Sequence, residues 1–232
     1  MKKLITLLAA MLFTASSAYA AGTLKDAEIA YAKGNYAQAI KLLKPLALKG
    51  DAEAQYNLGS SYNLRGKGAQ DNAEAAKWYK LAAAQGHAGA QLFLGTLYSL
   101  GIGVEQDYAE AVKWNKLAAA QGLAGAQYIL GFTYETGQGV VQDYAEAVKW
   151  YKLAAAQGQE AAQYHLGLMY ANGQGAVLDY VSAHMWLNLA AITGDKKSME
   201  NRELVATLMT QQQITEAQKL ARACLARKYK AC

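Results

Sequence analysis

Apolar and small residues recur with helical spacing from about residue 51 onward, and the pattern returns every 36 residues. Trp78, Trp114, Trp150 and Trp186 keep that step, and they are all the tryptophans of the chain. Leu58, Leu94, Leu130 and Leu166 keep it too, as do Gly59, Gly95, Gly131 and Gly167. So do Tyr62, Tyr98, Tyr134 and Tyr170, and Gly86, Gly122, Gly158 and Gly194. Five registers in phase identify an internal repeat, and a repeat array buries its core between neighbouring units instead of around one centre.

Within one unit the punctuation predicts two helices. Ala126, Leu130, Gly131 and Tyr134 share the face of a first helix, with Gly131 at its edge, where a missing side chain lets a partner helix approach. Gly137 and Gly139 then supply a turn of positive φ. Asp143, with Glu146 three positions on, reads as the N-cap of a second helix that runs through Val148, Trp150 and Leu153 to Gly158. The same grammar is expected at Asp107 with Glu110 and at Asp71 with Glu74. Trp150 is expected to fill the space between units, burying roughly 150–250 Å².

The ends differ from the middle. Lys2 and Lys3, an apolar run from Leu4 to Phe13 and Ala18-Tyr19-Ala20 read as a secretory signal over 1–20, cleaved after Ala20. No segment is apolar over the roughly 20 residues a membrane helix needs, so no stable membrane insertion is expected. Residues 21–50 read as a shorter helix pair with Gly34-Asn35 as its turn. Four full repeats follow at 51–86, 87–122, 123–158 and 159–194, and 195–232 reads as capping helices, the last starting at Thr210. The expected location is the periplasm or outside the cell.

Charge and cysteines narrow the chemistry. Residues 21–194 carry thirteen Lys or Arg against fourteen Asp or Glu, which supplies no groove for a phosphate backbone and argues against nucleic acid. Cys224 and Cys232 are expected to pair in an oxidising compartment and pin the tail. His87, His165 and His184 lie far from them and from one another, so no metal site and no cofactor are expected. Ser-x-x-Lys and Lys-Thr-Gly are absent, and Gly66-Lys67-Gly68 belongs to a repeat turn and not to a phosphate loop. No catalytic constellation emerges, and the chain is read as a non-enzyme.

The recurring Ala, Leu-Gly, Tyr, Gly-x-Gly-Val, Asp, Ala, Trp and Ala-Ala-x-x-Gly resemble the Sel-1-like repeat family, a relative of the tetratricopeptide repeat, and residues 87–122 and 123–158 match that pattern. Departures are the turn at Gly66 and Gly68, one residue off register, and Ser182 where other units have Glu. The resemblance implies an all-α fold, a right-handed α-α superhelix or solenoid of helix-turn-helix repeats. It implies a protein or peptide partner held on a concave surface lined by first helices, and no enzyme activity. Cysteine-rich members of the family are linked to β-lactam binding or hydrolysis, but they carry a cysteine pair in each repeat and this chain has none before Cys224. A secreted factor engaging a host or neighbouring cell is the alternative, and a β-lactam enzyme the more distant one. A monomer is expected.

Residues 87–122 and 123–158 differ at ten of 36 positions, and six of these, 92, 93, 96, 97, 99 and 100, fall in the first helix. The side opposite the Leu130–Tyr134 direction carries Asn57, Ser60 and Leu64, then Phe93, Thr96 and Leu100, then Ile129, Phe132 and Thr136, then His165, Leu168 and Asn172. Asn57, Phe93, Thr96, Leu100, Ile129, Phe132, Thr136, His165 and Leu168 are the candidate partner-binding residues, either as an exposed apolar strip or as packing against the next unit. His165 has no carboxylate at i±3 or i±4 on its own helix, so a packing or surface role is expected for it.

Overall fold

The structure, a computed structural model, describes residues 23–66, 68–229 and 232, so the expected signal segment lies outside the described residues. These are all-α, with helices and turns and no strand among them. Two compact units divide the chain, Met1–Gln106 and Asp107–Cys232.

In the first unit a helix at residues 23–32 (α1) precedes α2 (Tyr36–Leu48), α3 (Ala52–Arg65), α4 (Ala69–Ala84) and α5 (Ala88–Leu100). Gly34 turns the chain at φ +71°, and Asn35 caps α2 by accepting from the Gln38 amide. The second unit holds α6 (Tyr108–Ala120), α7 (Ala124–Thr136), α8 (Tyr144–Ala155), α9 (Glu160–Asn172) and α10 (Tyr180–Ala190), then a 3-10 turn, α11 (Lys196–Ala206) and α12 (Gln211–Ala226). Asp107, Asp143 and Asp179 each accept from amides in the first turn of the helix they precede. Thr210 and Gln213 form a reciprocal capping box at α12.

Asp71 corrects the expected grammar. It lies inside α4, which starts at Ala69 after an N-cap Gly68 with no side-chain bond, and it is buried. Arg65 extends α3 into the place where other units have Gly101, Gly137 and Gly173. Its guanidinium grips Asp71 with both prongs, Nε reaching Oδ2 at 2.8 Å, so the carboxylate is spent on an ion pair instead of a cap.

The repeat glycines mark close approach. A Cβ on Gly131 would lie 2.5 Å from Tyr151 Cδ1, one on Gly59 2.9 Å from Tyr79 Cδ1, and one on Gly167 2.8 Å from Leu187 Cγ. The second turn glycine has another duty besides its φ: a Cβ on Gly175 would meet the Tyr144 carbonyl oxygen at 2.1 Å, and one on Gly103 the Asn72 carbonyl oxygen at 2.2 Å. Each of these turns seats its backbone on the start of the second helix of the preceding repeat.

The tryptophans are less central than expected. Trp78 and Trp186 are buried, but Trp114 and Trp150 are half-buried, and the fully enclosed rings are Tyr79 and Tyr151, one position later. Trp78 and Trp114 donate from Nε1 to Glu74 and Glu110 one turn earlier, at 3.1 and 3.0 Å. A further register escaped the pattern reading. Gln55, Gln91, Gln127 and Gln163 are buried, and each donates from Nε2 to a carbonyl near the end of the preceding second helix, at 3.0–3.3 Å. Each of these carbonyls also accepts the amide of the glycine three positions on, Gly50, Gly86, Gly122 or Gly158, so the glutamine adds a second donor that ties the first helix to the end of the second helix before it.

Leu81, Leu117 and Leu153 are exposed on the outer side of the second helices, whereas Leu189 at the same register is buried. The difference is α12, whose Ala217, Ala221 and Cys224 turn inward, the last two joining the core that includes Met185, Trp186 and Leu189. Met185 replaces the Lys77, Lys113 and Lys149 of earlier repeats and makes that seat apolar. Beyond α12 the chain reverses through Lys228 and Tyr229, both in left-handed conformation, and Cys232 is disulfide-bonded to Cys224 with Cα atoms 5.2 Å apart.

Candidate functional site

The first helices place rings and carboxylates together in each unit. In the first unit His87 is the N-cap of α5, its Nδ1 accepting from the Ala90 amide at 3.1 Å and its Nε2 lying 3.1 Å from Glu53 Oε2. The imidazole stacks on Tyr56, centroids 4.3 Å apart. Tyr79, from α4, sits beneath and donates its hydroxyl to Ser60 Oγ at 3.1 Å. Phe93 lies on this shelf, stacked on Tyr79 at 5.4 Å with 9° between the planes, and is 37% exposed.

In the second unit the corresponding shelf is Tyr128 and Tyr151, and His165 takes the place of Phe93 one two-repeat step later. His165 stacks on Tyr151 at 5.2 Å and meets Phe132, Tyr164 and Tyr128 at 5.5–6.0 Å. Glu135, in the last turn of α7, closes the cluster: Oε2 accepts from the Tyr151 hydroxyl at 2.5 Å and lies 3.0 Å from His165 Nδ1. A carboxylate only accepts, so the proton sits on Nδ1, and in the neutral ring Nε2 is an acceptor. Burial opposes charge on Glu135, but the hydrogen bonds from His165 and Tyr151 together outweigh it and hold the carboxyl below its ordinary 4.5. The Tyr151 hydroxyl is pushed far above its ordinary value by burial, with the bound carboxylate adding to the effect.

The nine candidate residues divide. Phe93, Leu100, Phe132 and Thr136 are exposed, Phe132 to 39%. Asn57, Thr96, Ile129, His165 and Leu168 are half-buried. Asn57 is bonded to Glu53 at 3.1 Å, and Thr96 turns its hydroxyl back onto the Leu92 carbonyl at 3.0 Å. Leu168 packs against Ala183, Leu187 and Val205, so it belongs to the core edge. Ser60, on the same predicted side, is buried. In each unit the candidate positions are therefore partly packing and partly surface, with Phe93 the exposed ring of the first unit and Phe132 that of the second.

The side-chain cluster not legible in the sequence is the Glu135–His165–Tyr151 contact. His165 does have an orienting carboxylate, supplied by α7, 30 residues earlier in the chain. The available signal was that Tyr128, Glu135 and Tyr151 all stand at positions where two near-identical repeats differ. The imidazole is surrounded by rings and a carboxylate, and among the described residues no group of three His, Cys, Asp or Glu could hold a metal ion.

Charge is divided between the two kinds of helix. Glu135 is the one charge on α7 and Glu160 the one charge on α9, while α5 carries none. The second helices carry the lysines, paired on the surface as Lys113 with Glu110 at 2.9 Å and Lys149 with Glu146 at 2.8 Å.

The sequence model of the Sel1 repeat matches residues 8–51, 52–87, 88–123, 124–159 and 160–195. The first match reaches back into the expected signal segment, and the others begin one residue after the divisions read from the pattern. Among solved structures, a Sel1 repeat protein from Oxalobacter formigenes is 37% identical over 72% of this chain and 49% of its own, with a TM-score of 0.64. A protective antigen present in uropathogenic Escherichia coli strains, displaying an SLR fold, is 28% identical over 92% of this chain and 55% of its own, at 0.58. A Klebsiella pneumoniae chain described as a sel1 repeat protein shares the fold at 20% identity and a TM-score of 0.52, covering 81% of this chain and 93% of its own. The chain thus spans about half the length of the first two. No curated protein matches it.

Proposed function

Because the chain belongs to the Sel1 repeat family, whose members generally serve as scaffolds for protein–protein interaction, we propose that it is an exported adaptor holding a segment of a partner protein on its first-helix faces. One observation carries the reading: Phe93 is an exposed ring stacked on the buried Tyr79 and Phe132 an exposed ring set against the half-buried His165, rigid aromatic anchors of the kind that dominate binding energy at interfaces. The second helices, studded with paired lysines and glutamates, offer a solvated wall. Export is supported by the Lys2–Lys3 start, the apolar run and the Ala-Tyr-Ala site, and by cysteines placed as a pair.

The test is affinity capture from periplasm and culture medium, read by mass spectrometry, beside the Phe93→Ser/Phe132→Ser protein. The double variant should keep its helical circular dichroism and lose the captured partner at least about tenfold, the scale expected for truncating an anchor. Unchanged capture by the folded variant would overturn the reading. A second reading, contact with a host or neighbouring cell, is favoured by the structural relative that is a protective antigen in uropathogenic strains. Fractionating cells that carry an epitope-tagged copy separates the two, because protein confined to the periplasm excludes host contact.

A further inference from the structure

Beside His165, in the second unit, lies a cavity of about 290 Å³ lined by Glu160, Ala161, Tyr164 and His165 of α9, Ala190 of α10, and Asp195, Lys197 and Ser198 at the start of α11. Its size is at the lower edge of small-molecule sites, which suits one side chain better than a cofactor. The polar groups around it are mostly acceptors. Glu160, in the first turn of α9 where the helix end favours its negative charge, receives the Thr193 hydroxyl at 2.9 Å and forms no ion pair within 4.0 Å among the described residues. Asp195 accepts from the Ser198 amide and hydroxyl at 2.7 and 2.6 Å and is held below its ordinary value first by that hydroxyl, so it stays ionised. His165 presents an acceptor Nε2 in the tautomer that Glu135 dictates, and Glu135 adds a third negative charge behind it.

Against these stands Lys197, exposed and forming no ion pair within 4.0 Å among the described residues. With Glu160 and Asp195 in the lining and Glu135 behind His165, against Lys197, whose charge acts on Asp195, and with Tyr164 and His165 set edge to face at 5.5 Å, the surroundings complement a cation that donates hydrogen bonds. A guanidinium satisfies all of this at once, because it is planar, stacks on rings and can fork onto a carboxylate.

We propose that this cavity is the anchor pocket for an arginine side chain of the docked partner segment. The proposal rests on the adaptor reading for its biology and deepens it by naming what one part of the first-helix face recognises. Glu160 takes the guanidinium, whose plane stacks on Tyr164 while the perpendicular His165 ring meets its rim, and Glu135 supplies field from behind while keeping the imidazole in place.

The probes are Nα-acetyl-arginine-N-methylamide and its neutral isostere, Nα-acetyl-citrulline-N-methylamide, titrated at pH 8 into the full exported protein carrying 13C-labelled histidine. The His165 signal, assigned by its loss in His165→Gln, should move saturably with the arginine probe at millimolar concentration. Citrulline should bind at least about fivefold more weakly. Glu160→Gln, which can still accept from Thr193, should weaken arginine about threefold or more and leave citrulline unchanged. Equal response to both probes, response to neither, or an arginine titration untouched by Glu160→Gln overturns the pocket. Failure here with partner capture still dependent on Phe93 and Phe132 removes the arginine pocket and leaves the adaptor standing. Arginine binding with capture indifferent to those rings does the reverse.

Discussion

Gly131→Ala tests how the repeat core is held. The new methyl would lie 2.5, 2.6 and 2.9 Å from Cδ1, Cε1 and Cγ of Tyr151, where carbon contacts settle at about 3.5–4.0 Å, so the ring must retreat by about 1 Å. Tyr151 has nowhere to go: it is fully buried, its hydroxyl is bonded to Glu135 at 2.5 Å, and its face is stacked on His165. Overpacking of this kind costs about 1–3 kcal/mol, and loosening a hydrogen bond to a charged group about 1.5–3 kcal/mol. Replacing a helical glycine by alanine returns about 1 kcal/mol of propensity, which leaves a net loss of about 1.5–5 kcal/mol. Urea unfolding followed by circular dichroism reads this directly, with Tyr151→Ala as the second arm of a double-mutant cycle. In the Tyr151→Ala background the obstacle is gone, so Gly131→Ala should become neutral or stabilising. The reasoning fails if Gly131→Ala is as stable as the parent, or if its cost is the same with and without the tyrosine ring.

Three further outcomes follow from the same contacts. Glu135 is held below 4.5, so its contribution to stability is complete above that pH and is lost as pH falls through the lower folded value; Glu135→Gln should flatten the acid limb of urea midpoints taken between pH 6 and 3, and an unchanged limb would refute the cluster's role. His184 is buried with Nδ1 unpartnered, and burial, aided by Arg202, holds it below 6.5, so on acidification the unfolded chain takes up the proton first. Stability from the neutral ring is therefore full above 6.5 and declines below it, and His184→Val, the residue found at Val112 and Val148, should flatten Tm against pH in that interval. Cys232→Ser opens a loop closed by cysteines eight residues apart, which should cost α12 about 2–3 kcal/mol and show as faster amide exchange in that helix; exchange equal to that of the parent would show that packing alone holds it.

What could be read from the chain was whatever is settled within a few residues or by repetition. Asp107 and Asp143 cap their helices, Gly137 turns at positive φ, and Thr210 opens α12, because caps and turns depend on neighbours three or four positions away. The one cap that failed, Asp71, failed where Arg65 stands at the register of the turn glycines and its guanidinium competes for the carboxylate. Tertiary packing decided the rest. Trp150 was marked by its perfect register, yet Tyr151 is the enclosed ring, because the approach at Gly131 leaves room for one side chain and the helix phase delivers the later one. Glu135, Tyr151 and His165 come from three helices, 16 and 30 residues apart, and a 36-residue pattern states which helices exist without stating how far one rotates against the next. By itself the sequence determined the repeat, its helices and their ends, since those are local free energies counted over and over. Only the packing of α7, α8 and α9 decided that a histidine without a carboxylate on its own helix would acquire one, because that distance is a property of the assembled fold.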